Sequence, residues 1–405
     1  MRFDIHLRKD VKNQISNIVE SICTWNATDS ILDKEVEKLS ESVVSFDHCA
    51  IPDHSFVIVA SDGSGDFPCV TYGDSFIYLV TAVARLYETC SEGILKEKFV
   101  HEHSLVDFVW MPEDKKQSNK QLDDCFERLL GLSLSDVCKK SDYYSLAKQL
   151  GYCKLSSPEE LVSTIIHPEA HDSNNIGIQI RTVAELAELV KIINNNYFNT
   201  ENCYILEDST LSLPLLPSST SLFFEILKRY LAVLAREKNM VYLTISKSHD
   251  MPHMDIIEEI LSKKMPSTEH WFMRIPTKSE DKDIPSFLGA RSIPPVGAIS
   301  YLFKFHKTTQ TMRLDMDYAY WKDKIWNKNK SIMRQHEIQI FRDLDFASHD
   351  QRCYGYPYPI KACHDMASLT QAERVSLRKQ IIDAAIEKGL KRKNFIDPGM
   401  QTGHK

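Results

Sequence analysis

The apolar positions of the first fifty residues fall at helical spacing. Ile15, Ile18, Val19 and Ile22 form one stripe, and Ile31, Val36, Leu39 and Val43 form a second among Glu and Lys, the period of amphipathic helices. Ala27-Thr28-Asp29-Ser30 between them reads as a helix start. Residues 1–50 are therefore predicted as a helical extension, either a layer over the core or a partner-facing arm. The pattern changes at Phe56. Phe56–Ala60 is a continuous apolar run of strand length, and Ser61-Asp62-Gly63-Ser64-Gly65-Asp66 after it reads as a tight polar turn. Cys69–Tyr72 and Phe76–Val80 flank Gly73-Asp74, a hairpin signal. Residues 56 to about 84 thus read as a three-stranded antiparallel meander.

Residues 90–175 are polar and weakly periodic and are predicted as a mostly helical insertion. An amphipathic helix follows over 181–195, with Val183, Leu186, Leu189, Val190 and Ile193 on one face. Cys203–Leu206 is a second buried-type strand; it ends in Glu207-Asp208-Ser209-Thr210-Leu211, and Pro214 and Pro217 close the element. A long helix over 221–238 leads to a strand over 241–245 that ends in Ser246-Lys247-Ser248. A helix over 254–264, a Pro-rich stretch over 276–296 and strands over 298–305 and 311–314 come next. The tail is helical from Leu369 to Leu390, then basic and loose at Lys391-Arg392-Lys393. A strand meander followed by alternating helices and strands predicts an α/β fold, a mixed sheet flanked by helices in the order of an RNase H-like core.

With 405 residues, 43% of them hydrophobic and 26% charged, the chain can bury a sizeable core. The predicted division is a helical extension over 1–50, a main domain over 51–366 with the insertion at about 90–175, and a C-terminal helix and basic tail over 367–405. A formal net charge of −7 means that a nucleic acid would have to be held by a local basic surface. The acidic excess also suits carboxylates gathered round a metal. No apolar run reaches the ~18–20 residues that cross a bilayer, and the first residues are too polar for a signal peptide, so a cytoplasmic location is expected. The 10 cysteines are scattered without a C-x-x-C pair, as buried thiols in a reducing cytosol are. His167–His171 and His249–His253 have i, i+4 spacing, but the first pair brackets Pro168 and neither has a Cys pair nearby, which argues against a structural zinc site. The absence of G-x-x-x-x-G-K-[ST] and of G-x-S-x-G argues against a P-loop ATPase and a nucleophile elbow. Any motor would be a partner's.

Two buried-type strands end in an acid, Asp62 and Asp208. A carboxylate at a strand end is held rigidly and points into the cleft above the sheet. Two or more of them, close in space, are hard ligands for Mg²⁺ or Mn²⁺, the ions that serve phosphodiester cleavage. Each acid also has an ordinary reading, Asp62-Gly63 as a turn dipeptide and Asp208 as a loop residue or helix cap. A third carboxylate is sought on the helix over 181–195. At ~100° per residue, Glu185 lies roughly 95° from the centre of the apolar face and Glu188 roughly 155°. That puts Glu185 at the border of the buried face and Glu188 toward solvent; both could equally be solvated surface. His364, beside Asp365, is placed to ligate or to carry a proton, or is an ordinary half-buried His. Lys247, at a strand end, can pair with a scissile phosphate or be a plain surface Lys. In the stretch 321–330, bases could stack on the Trp321 and Trp326 rings while lysines, Lys322, Lys324 and Lys328 among them, meet phosphates; the alternative is an amphipathic helix with its Trp side chains buried.

Taken in order, these segments resemble the NurA nuclease family from about Phe56 to Asp365. Ala60-Ser61-Asp62-Gly63-Ser64 is one landmark and the Glu-bearing helix before the next strand a second. Ile205-Leu206-Glu207-Asp208-Ser209-Thr210-Leu211 stands where the family more often has D-G-S-L, and Ile245-Ser246-Lys247-Ser248 follows. Tyr356-Pro357-Tyr358-Pro359 with Ala362-Cys363-His364-Asp365 is similar to the family's Y-P-Y-P-L…A-H and is the most specific landmark. The resemblance implies an RNase H-like core related to the Piwi and endonuclease V group. It implies a DNA nuclease that uses Mn²⁺ (or Mg²⁺), cuts single and double strands and acts in DNA end processing. It further implies a ring-like homodimer and a HerA-type hexameric DNA-translocating ATPase as partner. On this reading Asp62, Asp208 and His364 are metal or catalytic positions, Glu185 comes ahead of Glu188 as the helix acid, and Lys247 is the cation near the site. Two departures, Ser209 in place of Gly and Cys363 between Ala362 and His364, motivate an alternative: a catalytically weak or inactive DNA clamp that regulates the translocase. A binding module of unrelated chemistry and an RNA substrate are further alternatives. A role in repair and one in defence against phage are both open.

Overall fold

A computed structural model of the chain describes residues 6, 8–26, 42–48, 50–90, 93–98, 104–149, 157, 160, 173–195, 202–211, 222–247, 258, 270–275 and 297–396. The segment Ala27–Ser30, the stripe residues Ile31, Val36 and Leu39, both spaced His pairs, Pro214, Pro217, the Pro-rich stretch and all but Glu258 of the helix expected over 254–264 lie outside the described residues.

The strands are β1 (Val43–Ser45), β2 (Val57–Tyr72), β3 (Ser75–Thr89), β4 (Leu95–Lys98), β5 (Leu105–Pro112), β6 (Cys203–Glu207), β7 (Val241–Ser246), β8 (Trp271–Arg274), β9 (Ala298–Lys304), β10 (Met312–Asp317) and β11 (Phe395–Ile396). They form one 11-stranded mixed sheet in the order β1-β8-β9-β10-β7-β6-β2-β3-β4, with β5 on β3 and β11 on β2. At its centre β2, β6 and β7 run parallel; the other pairings are antiparallel. The parallel strands read as unbroken apolar runs because helices cover both their faces. On one face α2 (Lys115–Leu130), α3 (Leu134–Lys140), α4 (Tyr143–Gln149), α5 (Ser173–Asn194) and α6 (Leu222–Glu237) share a core with Val57, Val59, Ile205 and Tyr242. On the other, α7 (Lys330–Ala347) and α8 (Tyr358–Ala367) pack on Ile58, Ala60, Leu206 and Leu243. The fold class is the α/β mixed sheet with flanking helices that the pattern predicts.

The details depart from the expectation in four places. β2 does not stop at Ala60. It continues through Asp62-Gly63-Ser64-Gly65-Asp66 to Tyr72, paired with β3 all along except for a register shift between Asp66 and Val70. Residues 61–66 are small and polar because they line a site and anchor a helix, not because they turn. Asp66 takes a two-pronged bond from Arg378 (2.7 Å for each prong) on α9 (Gln371–Glu387), which covers the far end of the hairpin. The turn itself is at Gly73, where φ is +56°, the left-handed region that glycine enters freely. The expected meander is thus one long hairpin. Its third antiparallel strand, β5, comes from the region read as helical, as does β4. The basic Lys391-Arg392-Lys393 is a short turn leading into β11, not a loose end. Finally, α5 is buried on nearly every side, with α2 and α6 packed against it on the same face of the sheet.

At the N-terminus, α1 (Lys9–Asn26) is the predicted helix, but Ile15, Ile18, Val19 and Ile22 remain exposed rather than covering the core. No helix among the described residues is long and apolar enough to cross a membrane.

Candidate active site

The register of the parallel strands brings the strand-end acids together. Ser61 of β2 lies opposite Glu207 of β6, so the next residues, Asp62 within β2 and Asp208 just past the end of β6, stand side by side. β7 pairs beyond β6, with Thr244 opposite Glu207, and so delivers Lys247 to the same end. Its Nζ lies 3.8 Å from Asp208 Oδ2 and 3.7 Å from the centre of the Tyr356 ring.

Alternation along β2 sends Asp62 to the face of Ile58 and Ala60, under α8. There His364 Nδ1 meets Asp62 Oδ2 at 2.9 Å, with the imidazole 56% exposed. The other Asp62 oxygen accepts from the Gly63 N–H at 2.7 Å. Gly63 itself faces α5. A Cβ at this position would stand 2.6 Å from Glu185 Oε1, and 2.8 Å from both Glu185 Cγ and the Thr81 carbonyl oxygen. Glycine is required because the Glu185 side chain fills that space.

Glu185 is 5% exposed. Its Oε1 is 3.0 Å from Arg181 Nε, without hydrogen-bond geometry, and has no hydrogen-bond partner. Burial raises its pKa to about 8; Arg181 opposes the rise, and Asp62 and Glu207 reinforce it. Burial also raises Asp208, against the pull of Lys247 and with a push from Asp62 and Glu207. The tip of Asp208 nevertheless remains open, its side chain 35% exposed. Burial, then the Asp208 charge, holds the Tyr356 phenol firmly protonated.

Glu207 is the residue that sequence reasoning passed over. It ends β6 fully buried, accepts a short hydrogen bond from the Tyr242 hydroxyl on Oε2, and leaves Oε1 without a hydrogen-bond partner. A signal was present: a Glu closing an otherwise apolar run, Cys203-Tyr204-Ile205-Leu206, at a position where the ladder continues to bury side chains. Arg181 and Tyr356 gained no role from the sequence either, because their importance lies in what they touch.

Two buried carboxylate oxygens without hydrogen bonds, beside Asp62 and Asp208, make an oxygen-rich donor set that fits a hard divalent ion. The set is not closed. Among the described residues, no three of its possible ligand atoms lie within 4.8 Å of one another. Gathering round an ion would require Glu185 to turn from Arg181, and Asp62 from His364.

The two sequence departures turn out to be local matters. Cys363 points into the core and donates its S–H to the Ala60 carbonyl at 3.3 Å, so it does not displace His364 from Asp62. Ser209 lies outside the left-handed region, and its N–H donates to the Glu207 carbonyl at 3.1 Å; no glycine is needed there.

Other candidates fall elsewhere. Glu188 does not face solvent as expected: it is buried with the rest of α5, and Lys191 Nζ engages its carboxylate at 2.7 Å. Trp321 is 2% exposed, packed under the Arg274 guanidinium at 5.1 Å, with its Nε1 3.4 Å from Glu337. It cannot stack on a base from that position. The exposed ring is Trp326, and Lys322, Lys324 and Lys328 are exposed around it.

No family model matches the chain, and no curated protein matches it. Among solved structures it is similar to the NurA nuclease from Sulfolobus solfataricus, at 16% identity and a TM-score of 0.45 over 95% of this chain and 99% of that one. It is also similar to a NurA bound to dAMP and manganese, at 12% identity and a TM-score of 0.40 over 96% and 99%.

Proposed function

We propose that the chain is a metal-dependent DNA nuclease. The observation that carries this reading is the parallel register that sets Asp62 of β2 beside Asp208 at the end of β6, with the hydrogen-bond-free Oε1 of Glu185 packed over Gly63. Asp62, Asp208 and Glu185 would hold Mn²⁺ or Mg²⁺, with His364 at the rim. The ion, when bound, supplies Lewis acidity at the scissile phosphate and activation of water.

The protein's own groups supply the rest. Lys247, beside Asp208, offers a positive charge to a phosphate oxygen. His364 holds one ring nitrogen on Asp62 before an ion enters; once Asp62 turns to the ion, the imidazole is left at the rim to carry a proton at the leaving oxygen. Arg181 stands beside the Glu185 carboxyl and opposes the rise in its pKa, the part a bound cation would take over. Tyr356, as a protonated phenol beneath Lys247, packs the amine against the site.

The family resemblance of the sequence supports a finer reading: an exo- and endonuclease acting on DNA ends and single strands, cytoplasmic and homodimeric, fed by a HerA-type hexameric ATPase. Its setting would be DNA end processing in repair or in defence against phage. The deciding experiment incubates the protein with end-labelled linear DNA and Mn²⁺, with and without EDTA, beside Asp62→Ala. Degradation that both EDTA and Asp62→Ala abolish is the expected result. No cleavage even with the cognate ATPase present would replace the nuclease by a DNA clamp that regulates the motor.

A further inference from the structure

A different set of side chains is already gathered. His48, just after β1, Asp345 in the last turn of α7, and His349 just beyond that turn each bring a possible ligand atom within 4.8 Å of the other two. Among the described residues they are the only such trio. His48 Nδ1 lies 2.7 Å from Asp345 Oδ2, and the His48 and His349 rings stack at 3.9 Å. The Asp345 carboxylate is wholly buried.

The surroundings are those of a metal's outer shell. His270, which leads into β8, places its Nδ1 3.0 Å from the second Asp345 oxygen. Tyr354 Oη lies 3.0 Å from His349 Nε2, which fixes that ring and leaves Nδ1 as its ligand atom. Ligating imidazoles and carboxylates are typically held in this way by outer partners.

We propose that His48, Asp345 and His349 bind a zinc-type divalent transition metal, with His270 and Tyr354 as its outer shell. Two imidazoles and one carboxylate suit zinc, whereas an all-oxygen set suits manganese or magnesium. Zinc bonds of about 2.0–2.2 Å place neighbouring ligand atoms roughly 3.3 Å apart, and those of the trio already lie within 4.8 Å of one another. The fourth position faces solvent on the exposed side of His349. The metal ties the N-terminal strand segment to the end of α7, from which the loop 348–357 carries Tyr356 to the candidate active site. The proposal is independent of the nuclease reading, since it shares no ligand with the Asp62 cluster.

The test uses the full chain without an affinity tag, stripped with chelator and titrated with Zn²⁺, with metal content read by mass spectrometry. Co²⁺ titration adds a visible absorption band as a ligand-field signature. The expected result is about one zinc per chain in both wild type and Asp62→Ala, together with a higher unfolding temperature. His349→Ala and His48→Ala should weaken zinc by more than the roughly 10–100-fold that loss of an outer-shell partner costs, and should lose the Co²⁺ band. His349 is exposed, so its variant is expected to fold, with far-UV circular dichroism as the check. Zinc binding unchanged in both His variants, or no stoichiometric zinc in the wild type, would overturn the proposal.

Discussion

At the scale of single residues, Gly63 is the most constrained position of the candidate site. A methyl group there meets Glu185 Oε1 at 2.6 Å and the backbone oxygen of Thr81 at 2.8 Å. The Glu185 side chain can swing away, but the β3 backbone cannot. Gly63→Ala is expected to destabilise the fold by about 1–3 kcal/mol, read as a lower urea midpoint, and to weaken Mn²⁺ binding because Glu185 is driven from its place. Retained stability with full metal affinity would mean that Glu185 is not a ligand. Protonation provides a second handle on the same residue. With its pKa raised to about 8, Glu185 holds a proton near neutrality, and a metal must displace it. Mn²⁺ affinity measured by calorimetry should therefore rise from about pH 6 to about pH 8, by up to about tenfold per pH unit. In Glu185→Gln the affinity should be lower and this part of the rise should disappear. A rise of equal steepness in the variant would assign the proton to another group.

At the scale of elements, two polar clamps fix how the layers meet. The segment before β2 is tied to α7 by His54, whose Nε2 lies 3.1 Å from Asp343 and whose Nδ1 lies 2.9 Å from Asp53. The Asp343 contact first, then Asp53, raises the His54 pKa to about 9 against the opposing effect of burial. A pKa higher in the folded than in the unfolded chain stabilises fully below the unfolded value, about 6.5, and the stabilisation is lost as pH climbs through about 9. The stability gap between wild type and His54→Ala should accordingly be about 1–2 kcal/mol near pH 6, after screening of a partly exposed pair, and should narrow by about pH 9. The other clamp holds the helices over 134–149. Arg229, buried on α6, reaches both Asp142 oxygens at 2.7 Å and Asp317 at 2.8 Å. Among the described residues, Arg229→Met leaves both acids with Arg236 as their one cation and should cost about 3–5 kcal/mol. Limited proteolysis between α3 and α4 should become the first sign of it.

The same scale explains what could be read from the sequence. β6, β7 and the acid after β6 are legible because a strand buried on both faces writes itself as an apolar run, and its end is where the polarity returns. The continuation of β2 is not legible. Asp-Gly-Ser-Gly is turn chemistry by composition, and only the ladder with β3 and the Glu185 side chain above it explain why small residues sit inside a strand. The depth of α5 is hidden for a related reason. Helical geometry fixes which residues share a face, but how much of the rest sees water depends on what packs round the helix, α2 and α6 among it, and Glu188 is buried. Of the trio, Asp345 and His349 have i, i+4 spacing, but nothing in the sequence adds His48 to them, because β1 and the end of α7 meet only in the folded chain.

At the scale of the whole molecule, the net charge of −7 opposes the approach of any polyanion, so DNA affinity must come from a local surface. The turn after β10 offers one. Lys322, Lys324 and Lys328 are exposed, Trp326 is 46% exposed between them, and the Trp321 ring is buried as the anchor of the turn. Stacking would therefore fall to Trp326, with phosphates meeting the lysines. Each phosphate neutralised on a single strand contributes roughly 0.7 to the salt slope. Reversing Lys322, Lys324 and Lys328 to Glu should lower the slope of log affinity against log salt by about 2, measured by anisotropy of a labelled single strand in EDTA. The urea midpoint should not move, because the three side chains are in solvent, and Trp326→Ala should weaken binding at every salt concentration alike. An unchanged slope would remove this turn from the DNA path and leave Lys247, inside the carboxylate cluster, to meet the backbone without a stacking platform. In that case the affinity that persists in EDTA owes nothing to the divalent ion, and Lys247→Glu, rather than the triple reversal, should lower the slope.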